Sequence, residues 1–298
     1  MKYPAAKKTK VAIIGTGNIG CDLLMKIRRT SDLECSLFAG RNLASKGMQL
    51  AARLGVPVSD QSIHAIENAP DICDIVFDAT SAEVHRANAP ILKALGKFAI
   101  DLTPAAVGIR CVPAINLQQA INADNVNLIT CGGQASIPIA YAISQVQSNI
   151  RYCELVASIA SKSAGLGTRN NIDEFTQTTR KALAQFTGIP ETKAIIILNP
   201  AEPPIIMRNT IYMLVDAPDM QKVTEAVDNM VACIKEYVPG YKLSVPPLYK
   251  NGYITTTIEV TGRGDYLPEY SGNLDIITSA AIRVAEAFAE KKNRSADA

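Results

Sequence analysis

One thiol in this chain sits where chemistry is plausible. In Val126-Asn127-Leu128-Ile129-Thr130-Cys131-Gly132-Gly133-Gln134-Ala135-Ser136-Ile137-Pro138, a short apolar run that reads as a strand ends in a cysteine, and two glycines are expected to turn the backbone sharply into a helix. A thiol there faces free backbone N–H groups and the positive end of the helix dipole, which favour thiolate over thiol. The same N–H groups could hold a developing oxyanion. The competing reading is a buried structural cysteine in a tight turn.

A second constellation lies near the N-terminus. Lys10-Val11-Ala12-Ile13-Ile14 suits a buried parallel strand, and Gly15-Thr16-Gly17-Asn18-Ile19-Gly20 follows at once, ahead of an amphipathic helix read at Cys21 to Arg29. In that context the three glycines form a dinucleotide fingerprint. Gly15 permits the tight turn, Gly17 lets a pyrophosphate approach the backbone, Gly20 allows close helix–strand packing, and the phosphates rest on the helix N-terminus. The next strand, Leu33 to Ala39, should end where the adenosine ribose is read, and an acidic residue there favours NAD. This chain has Gly40-Arg41-Asn42 at that point. No carboxylate is available to accept from the ribose hydroxyls or to repel a 2′-phosphate, so NADP is open beside NAD. For Arg41, a phosphate contact and a solvated loop charge are equal readings.

Composition narrows the classes. The chain has 298 residues, 48% of them hydrophobic and 19% charged, enough for a large core and a length suited to two domains. A formal net charge of +2, with no basic run beside interleaved aromatics, gives no case for nucleic acid. The cysteines (Cys21, Cys35, Cys73, Cys111, Cys131, Cys153, Cys233) are odd in number and lack any CxxC pair. Neither a disulfide framework nor a metal site is signalled, and a reducing cytoplasm is expected. The apolar run behind the basic start is too short for a signal-peptide core, and no segment is long enough to cross a bilayer.

Strands and helices must then position these groups. Leu43 to Leu54 reads as helix, Val56 to Val58 and Ile72 to Ala79 as strands, Ala82 to Leu95 as helix, Phe98 to Leu102 as strand and Asn116 to Asn122 as helix. This strand–helix rhythm predicts a Rossmann-type doubly wound parallel α/β sheet. Thr80-Ser81 and Asp101-Leu102-Thr103-Pro104 fall at its carboxyl edge, where they either face a ligand or cap helices and turns. Beyond Cys131 the pattern changes. Helix continues over Ile137 to Gln147, and strand Cys153 to Ala160 runs into a small-residue loop, Ser161 to Asn171. Helix Ile172 to Thr187, strands Lys193 to Leu198, Ile205 to Val215 and Tyr253 to Thr261, and helix Met220 to Tyr237 complete a second α+β domain with a mixed sheet. The domains expected are a dinucleotide-binding one at 1–130 and a catalytic, substrate and dimerisation one at 131–273. A last helix, 274–298, carries apolar residues at Ile277, Ala281, Val284, Ala285 and Phe288 and should pack back on the first domain.

A nucleotide domain, then a cysteine at the junction, then a second domain suggests thiol-dependent aldehyde oxidation. The thiolate adds to the carbonyl, a hydride leaves for nicotinamide, and an acyl thioester remains. Phosphate, water or a second thiol could then take the acyl group. The chain has two histidines, His64 and His85, both ahead of Cys131. They read as surface or helix residues of the first domain, leaving a carboxylate, an amide or the dipole to manage the thiol.

Longer motifs carry a resemblance. VAIIGTGNIG (Val11 to Gly20), DIVFDATS (Asp74 to Ser81), DLTPAAVG (Asp101 to Gly108), TCGGQASIP (Thr130 to Pro138), SIASKSAGLGTRNNID (Ser158 to Asp173), LNPAEPP (Leu198 to Pro204) and YLPEYSGNLDIITSA (Tyr266 to Ala280) cover nearly the whole chain in order. They closely resemble the acylating, CoA-dependent acetaldehyde dehydrogenases of aromatic meta-cleavage pathways. The resemblance implies oxidation of acetaldehyde or a short homologue with NAD and coenzyme A and a 4-hydroxy-2-oxovalerate aldolase as partner, beside the homodimer contact read from the second domain's mixed sheet. By position, Cys131 matches the acyl-carrying cysteine. Thr16, Gly17, Asn18 and Ile19, the run Ser163-Ala164-Gly165-Leu166-Gly167-Thr168-Arg169-Asn170-Asn171, and Asn273 match the cofactor contacts.

Three departures stand out. Where the family reads Met-Arg-Asp-Thr, with the aspartate proposed to help activate the cysteine, this chain has Met207-Arg208-Asn209-Thr210. An amide is no general base, so slower acylation and a higher thiol pKa are expected, with Asn209 left to orient a water or the thiol. The acidic residue after the second strand is missing at Gly40-Arg41-Asn42, and the segment between Tyr241 and Ile254 is short. A semialdehyde or acyl-phosphate-forming dehydrogenase, and a nucleotide-binding homologue with impaired catalysis, are the alternatives.

Overall fold

The computed structural model describes residues 8–165, 169 and 172–296. They fall into two compact units, one built from the described residues up to Leu128 together with those from Ala281 onward, the other from Ile129 to Ala280.

In the first unit β1 (Thr9–Ile14), α1 (Asn18–Ile27), β2 (Leu33–Ala39), α2 (Lys46–Arg53), β3 (Val58–Ser59), α3 (His64–Glu67), β4 (Ile75–Asp78), α4 (Ala82–Ala94), β5 (Phe98–Asp101), β6 (Ile109–Arg110), α5 (Pro113–Ala120) and β7 (Asn125–Asn127) follow in order. The strands form one all-parallel sheet, β3-β2-β1-β4-β5-β7-β6. This is the doubly wound arrangement that the sequence predicts. The central strands are continuous apolar runs, Val11–Ile14 and Ile75–Phe77 among them, and are buried on both faces as a parallel sheet requires. Strand order reverses between β1 and β4, and the glycine loop leaves β1 at that switch point, where open α/β sheets bind ligands. Two helices begin earlier than their sequence patterns suggest. α1 takes in Asn18 and Ile19, and α5 opens on Pro113 in its first turn, where a missing N–H is harmless.

The second unit opens with α6 (Cys131–Val146), followed by β8 (Tyr152–Ala160), α7 (Ile172–Thr187), β9 (Glu191–Asn199), β10 (Met207–Leu214), α8 (Met220–Lys235), β11 (Tyr241–Lys250), β12 (Tyr253–Val260) and α9 (Gly272–Ala296). Its sheet runs β11-β12-β10-β8-β9, antiparallel except for the parallel pair β8–β9. On β8, Cys153, Leu155, Ala157 and Ile159 are buried, and on β10, Met207, Asn209, Ile211 and Met213 are buried in register with them. These alternating residues form the face toward α6, α7 and α8. The opposite face presents Val156, Ile195, Ile197, Tyr212, Leu214 and Tyr253 at partial or full exposure.

β11 corrects the sequence reading, which gives no strand between Tyr241 and Tyr253. Pro246 and Pro247 argue against a strand, but β11 is an edge strand whose pairing with β12 is irregular between Leu243 and Leu248, and prolines are admitted at such bulges. α9 belongs to the second unit through Ala280 and to the first from Ala281 on. Within the first unit its Phe288 ring stacks on Phe98 at 4.1 Å, and Lys291 Nζ donates to Asn122 Oδ1 at 2.6 Å.

Candidate active site

Cys131 is the first residue of α6. The strand before it ends at Asn127, short of the cysteine in which the sequence reading ends the run, and Leu128–Thr130 is a connector. The sharp turn is made by Ile129, buried and held at φ 66°. A β-branched residue in the left-handed region is strained by about 1–3 kcal/mol, and such strain persists where surrounding contacts over-determine it. The glycine pair does not make this turn. Gly132 and Gly133 lie inside the first helical turn, and a Cβ on Gly132 would come within 3.2 Å of the Phe175 ring and 3.3 Å of Ala157 Cβ. Glycine is there to let the cysteine's turn pack closely on α7 and β8.

Thr130 caps the helix. Its extended backbone directs Oγ1 to accept from Gly133 N at 3.0 Å, and the same oxygen lies 2.7 Å from Thr179 Oγ1 of α7. Thr179 donates its hydrogen to Phe175 O at 2.7 Å, so Thr130 is the donor between the two hydroxyls. Cap and bridge together fix where the cysteine starts.

The half-buried thiol accepts from the N–H groups of Gly132 and of Cys131 itself. Burial nonetheless dominates and pushes its pKa up to about 12. The donors expected from the helix start are present, but they do not make the resting sulfur a thiolate. Asn209 is buried on β10, where strand alternation points it at α6. Its Nδ2 donates to Ser136 Oγ at 2.8 Å and to Gly132 O at 3.3 Å, while Oδ1 is buried with no hydrogen-bond partner. The amide therefore ties the cysteine's turn to the sheet, a donation to a carbonyl that no aspartate carboxylate could make.

Ser163 and Asn273 come together in the same unit, Asn273 Nδ2 donating to Ser163 O at 3.5 Å, with Asn273 Oδ1 buried and unpartnered. Arg169 turns back on its own loop, Nε to Ala164 O at 3.1 Å and Nη2 to Ser161 Oγ at 2.8 Å, so it braces this segment around Ala164 and the exposed Gly165. Leu166, Gly167, Thr168, Asn170 and Asn171 lie outside the described residues.

The fingerprint in the first unit fits a dinucleotide. Gly15 sits at φ 112°, where a Cβ would lie 2.4 Å from Ala79 O, and a Cβ on Gly20 would lie 1.9 Å from Gly15 O. Gly17, in contrast, has open space beside it and provides no side-chain cap, so the first N–H groups of α1, from Asn18 onward, face outward. That combination leaves room for a phosphate at the helix start. At the end of β2, Arg41 is exposed, and Asn42 Oδ1 accepts from Ala44 N in a local turn at 2.8 Å.

Sequence reasoning missed Ser136, Thr130 as a cap, and above all His85. That residue lies on a helix, but it is wholly buried between Asp78 and Asp101 and is no surface group. A threonine directly before a helix signals the cap. The pairing of His85 with Asp101 has no signature in local spacing. Ser81 accepts from Val84 N at 3.3 Å as the cap of α4.

Residues 131–268 match the family model "Prokaryotic acetaldehyde dehydrogenase, dimerisation", and residues 10–123 match "Semialdehyde dehydrogenase, NAD binding domain". The chain is 54% identical to an acetaldehyde dehydrogenase of Pectobacterium atrosepticum over 94% of this chain and 95% of that one. It is 52% identical to one of Spirochaeta aurantia, over 97% of this chain and 98% of the relative. Among solved structures, aspartate semialdehyde dehydrogenase II of Vibrio cholerae superposes with a TM-score of 0.65 at 15% identity, covering 94% of this chain and 98% of that one. The Candida albicans aspartate semialdehyde dehydrogenase with NADP superposes with a TM-score of 0.63 at 11% identity, covering 94% and 99%. These two share the fold.

Proposed function

The chain belongs to the acetaldehyde dehydrogenase family of nicotinamide-nucleotide-dependent oxidoreductases, and on that premise we propose that it oxidises acetaldehyde or a short homologue through a thioester on Cys131 and passes the acyl group to coenzyme A. The observation that carries this reading is a cysteine at the first position of α6 whose sulfur meets two backbone N–H groups. As the proton leaves, those N–H groups hold the charge on sulfur, and the thiolate adds to the aldehyde carbon. The Gly15–Gly20 loop would hold the pyrophosphate of a nicotinamide nucleotide, which when bound would supply the hydride acceptor, and a thioester would remain on Cys131. Attack by the thiolate of coenzyme A then releases acyl-CoA and returns Cys131. Asn209, Thr130 and Ser136 keep the turn in place and move no proton.

A thiol acceptor suits these surroundings. Among the described residues, the side chains that hydrogen-bond around the turn are neutral hydroxyls and amides. A thiol acceptor becomes the nucleophile on its own ionisation. For the nucleotide, NAD is the acceptor and NADP is also taken, since exposed Arg41 replaces the usual carboxylate at the end of β2. The uncovered sheet face of the second unit, with Ile195, Ile197 and Tyr212, is the surface for a homodimer, in keeping with the description of the matching family model.

A steady-state assay of nucleotide reduction with acetaldehyde tests the reading. The rate should require coenzyme A and ignore inorganic phosphate. A rate that follows phosphate would replace acyl-CoA by acyl phosphate as product. Direct titration with both nucleotides tests the cofactor choice, and Arg41→Ala should weaken NADP binding and spare NAD.

A further inference from the structure

His85, Asp78 and Asp101 form a fully buried cluster in the first unit. His85 Nδ1 lies 2.9 Å from Asp78 Oδ2, and Nε2 lies 3.5 Å from Asp101 Oδ2. The Asn125 amide of β7 sits 3.0 Å from Nε2. With its nitrogen toward the ring, Asn125 Oδ1 is left buried without a partner. The other amide orientation turns Oδ1 toward the ring, makes Nε2 a donor and moves Nδ2 to the position that Oδ1 leaves. Both ring nitrogens then carry hydrogen. Charge argues the same way, because a neutral ring would leave two carboxylates buried together, whereas an imidazolium pairs with both. The titratable groups facing the ring are Asp78 from β4 and Asp101 from β5. α4 adds the Asn88 amide, which donates to Asp78 Oδ2 at 2.9 Å, and β7 adds Asn127, which donates to Asp101 Oδ2 at 2.7 Å.

Each carboxylate also organises the loop that leaves its strand. Asp78 Oδ1 accepts from Thr80 N at 3.1 Å and from the Thr80 hydroxyl, and Asp101 Oδ1 accepts from Thr103 N at 2.7 Å. Thr103 Oγ1 in turn accepts from Ala105 N at 3.2 Å. The first of these loops touches the fingerprint itself, since Ala79 N donates to Ile14 O at 2.8 Å and Ala79 O blocks any Cβ at Gly15.

We propose that His85 is held as an imidazolium between Asp78 and Asp101 and acts as a positioning residue, joining the two strand-end loops at the carboxyl edge into one rigid support for the nucleotide. Burial opposes the charge on His85, but its hydrogen bond to Asp78 and the charges of Asp101 and Asp78 raise its pKa overall. The nucleotide role rests on the proposed dehydrogenase reading, whereas the protonation state does not.

Because the chain has two histidines, His64 and His85, isotope-labelled histidine gives two ring signals by NMR, and His64→Gln assigns them. In the wild-type chain, His85 should show both nitrogens protonated at neutral pH. A neutral ring at neutral pH overturns the proposal. NADH titration supplies the second measurement. His85→Gln should weaken binding about tenfold at pH 8, a typical size for coupling through a network. Removing the stranded charge in the double variant with Asp101→Asn should restore most of it. Equal weakening in both variants reduces His85 to a packing residue and overturns the positioning role. A wild-type chain that binds no NADH strikes the nucleotide reading, while a neutral His85 in a chain that binds NADH strikes this proposal alone.

Discussion

At Gly15–Gly20 and again at Thr130–Gly133 the chain enters a helix from the connector behind a strand, and each time the first N–H groups of the helix have no partner within it. At the first junction glycine takes the left-handed turn, no side chain caps the helix, and the space beside Gly17 is open. At the second, Ile129 takes the left-handed turn, Thr130 caps Gly133, and the Cys131 sulfur meets the remaining N–H groups. One backbone device thus stands open in one unit and meets a cysteine sulfur in the other; on the function proposed above, the first would take a diffusible anion and the second a covalent nucleophile. What differs is whether the protein fills the N–H groups with its own atoms.

The comparison can be broken most severely at the sulfur. Cys131→Ala should lower acyl transfer by about 10⁴-fold or more, as loss of a nucleophile does, while nucleotide binding measured by titration stays within error. Next comes the glycine junction. Gly15→Ala places a Cβ 2.4 Å from Ala79 O at a positive φ, a strain of about 1–3 kcal/mol. It should raise the nucleotide Kd by about tenfold or more, the factor that such a strain implies. Full binding by this variant would show that the loop is not the cradle.

The third test concerns the proton on Cys131. A thiol raised to about 12 is reactive only when deprotonated, so the acylation rate of the wild type should climb about tenfold per pH unit, with no plateau by pH 9. Asn209→Asp supplies a carboxylate beside this turn and should raise activity at neutral pH by about tenfold, below the usual range for a placed general base. It also leaves Gly132 O without its side-chain donor and buries a charge, a loss of about 1–3 kcal/mol in denaturant unfolding. Unchanged neutral activity would remove position 209 from thiol chemistry. Smallest of all, Thr130→Val keeps the shape but removes the cap and the bridge to Thr179, for about 1–2 kcal/mol in thermal unfolding.

The sequence by itself determined the parallel sheet, the glycine loop behind its first strand and the place of a cysteine beside a helix start. These are local matters, set by continuous apolar runs from Val11 to Ile14 and from Ile75 to Phe77, by glycines at fixed offsets, and by a thiol next to a helix start. It also shows that position 209 holds an amide. Only the tertiary structure decided what that amide does, because its partners Gly132 and Ser136 are brought to it by the packing of α6 on β10. The same holds for β11, whose prolines are acceptable only once the strand is known to lie at an edge. It holds for the turn at Cys131 too, where packing forces Ile129, and not glycine, into the left-handed region. Most of all it holds for His85. Whether a histidine is a solvated base or a buried cation depends on which carboxylates share its cavity, and Asp101 reaches it from a neighbouring strand through the register of β4 and β5.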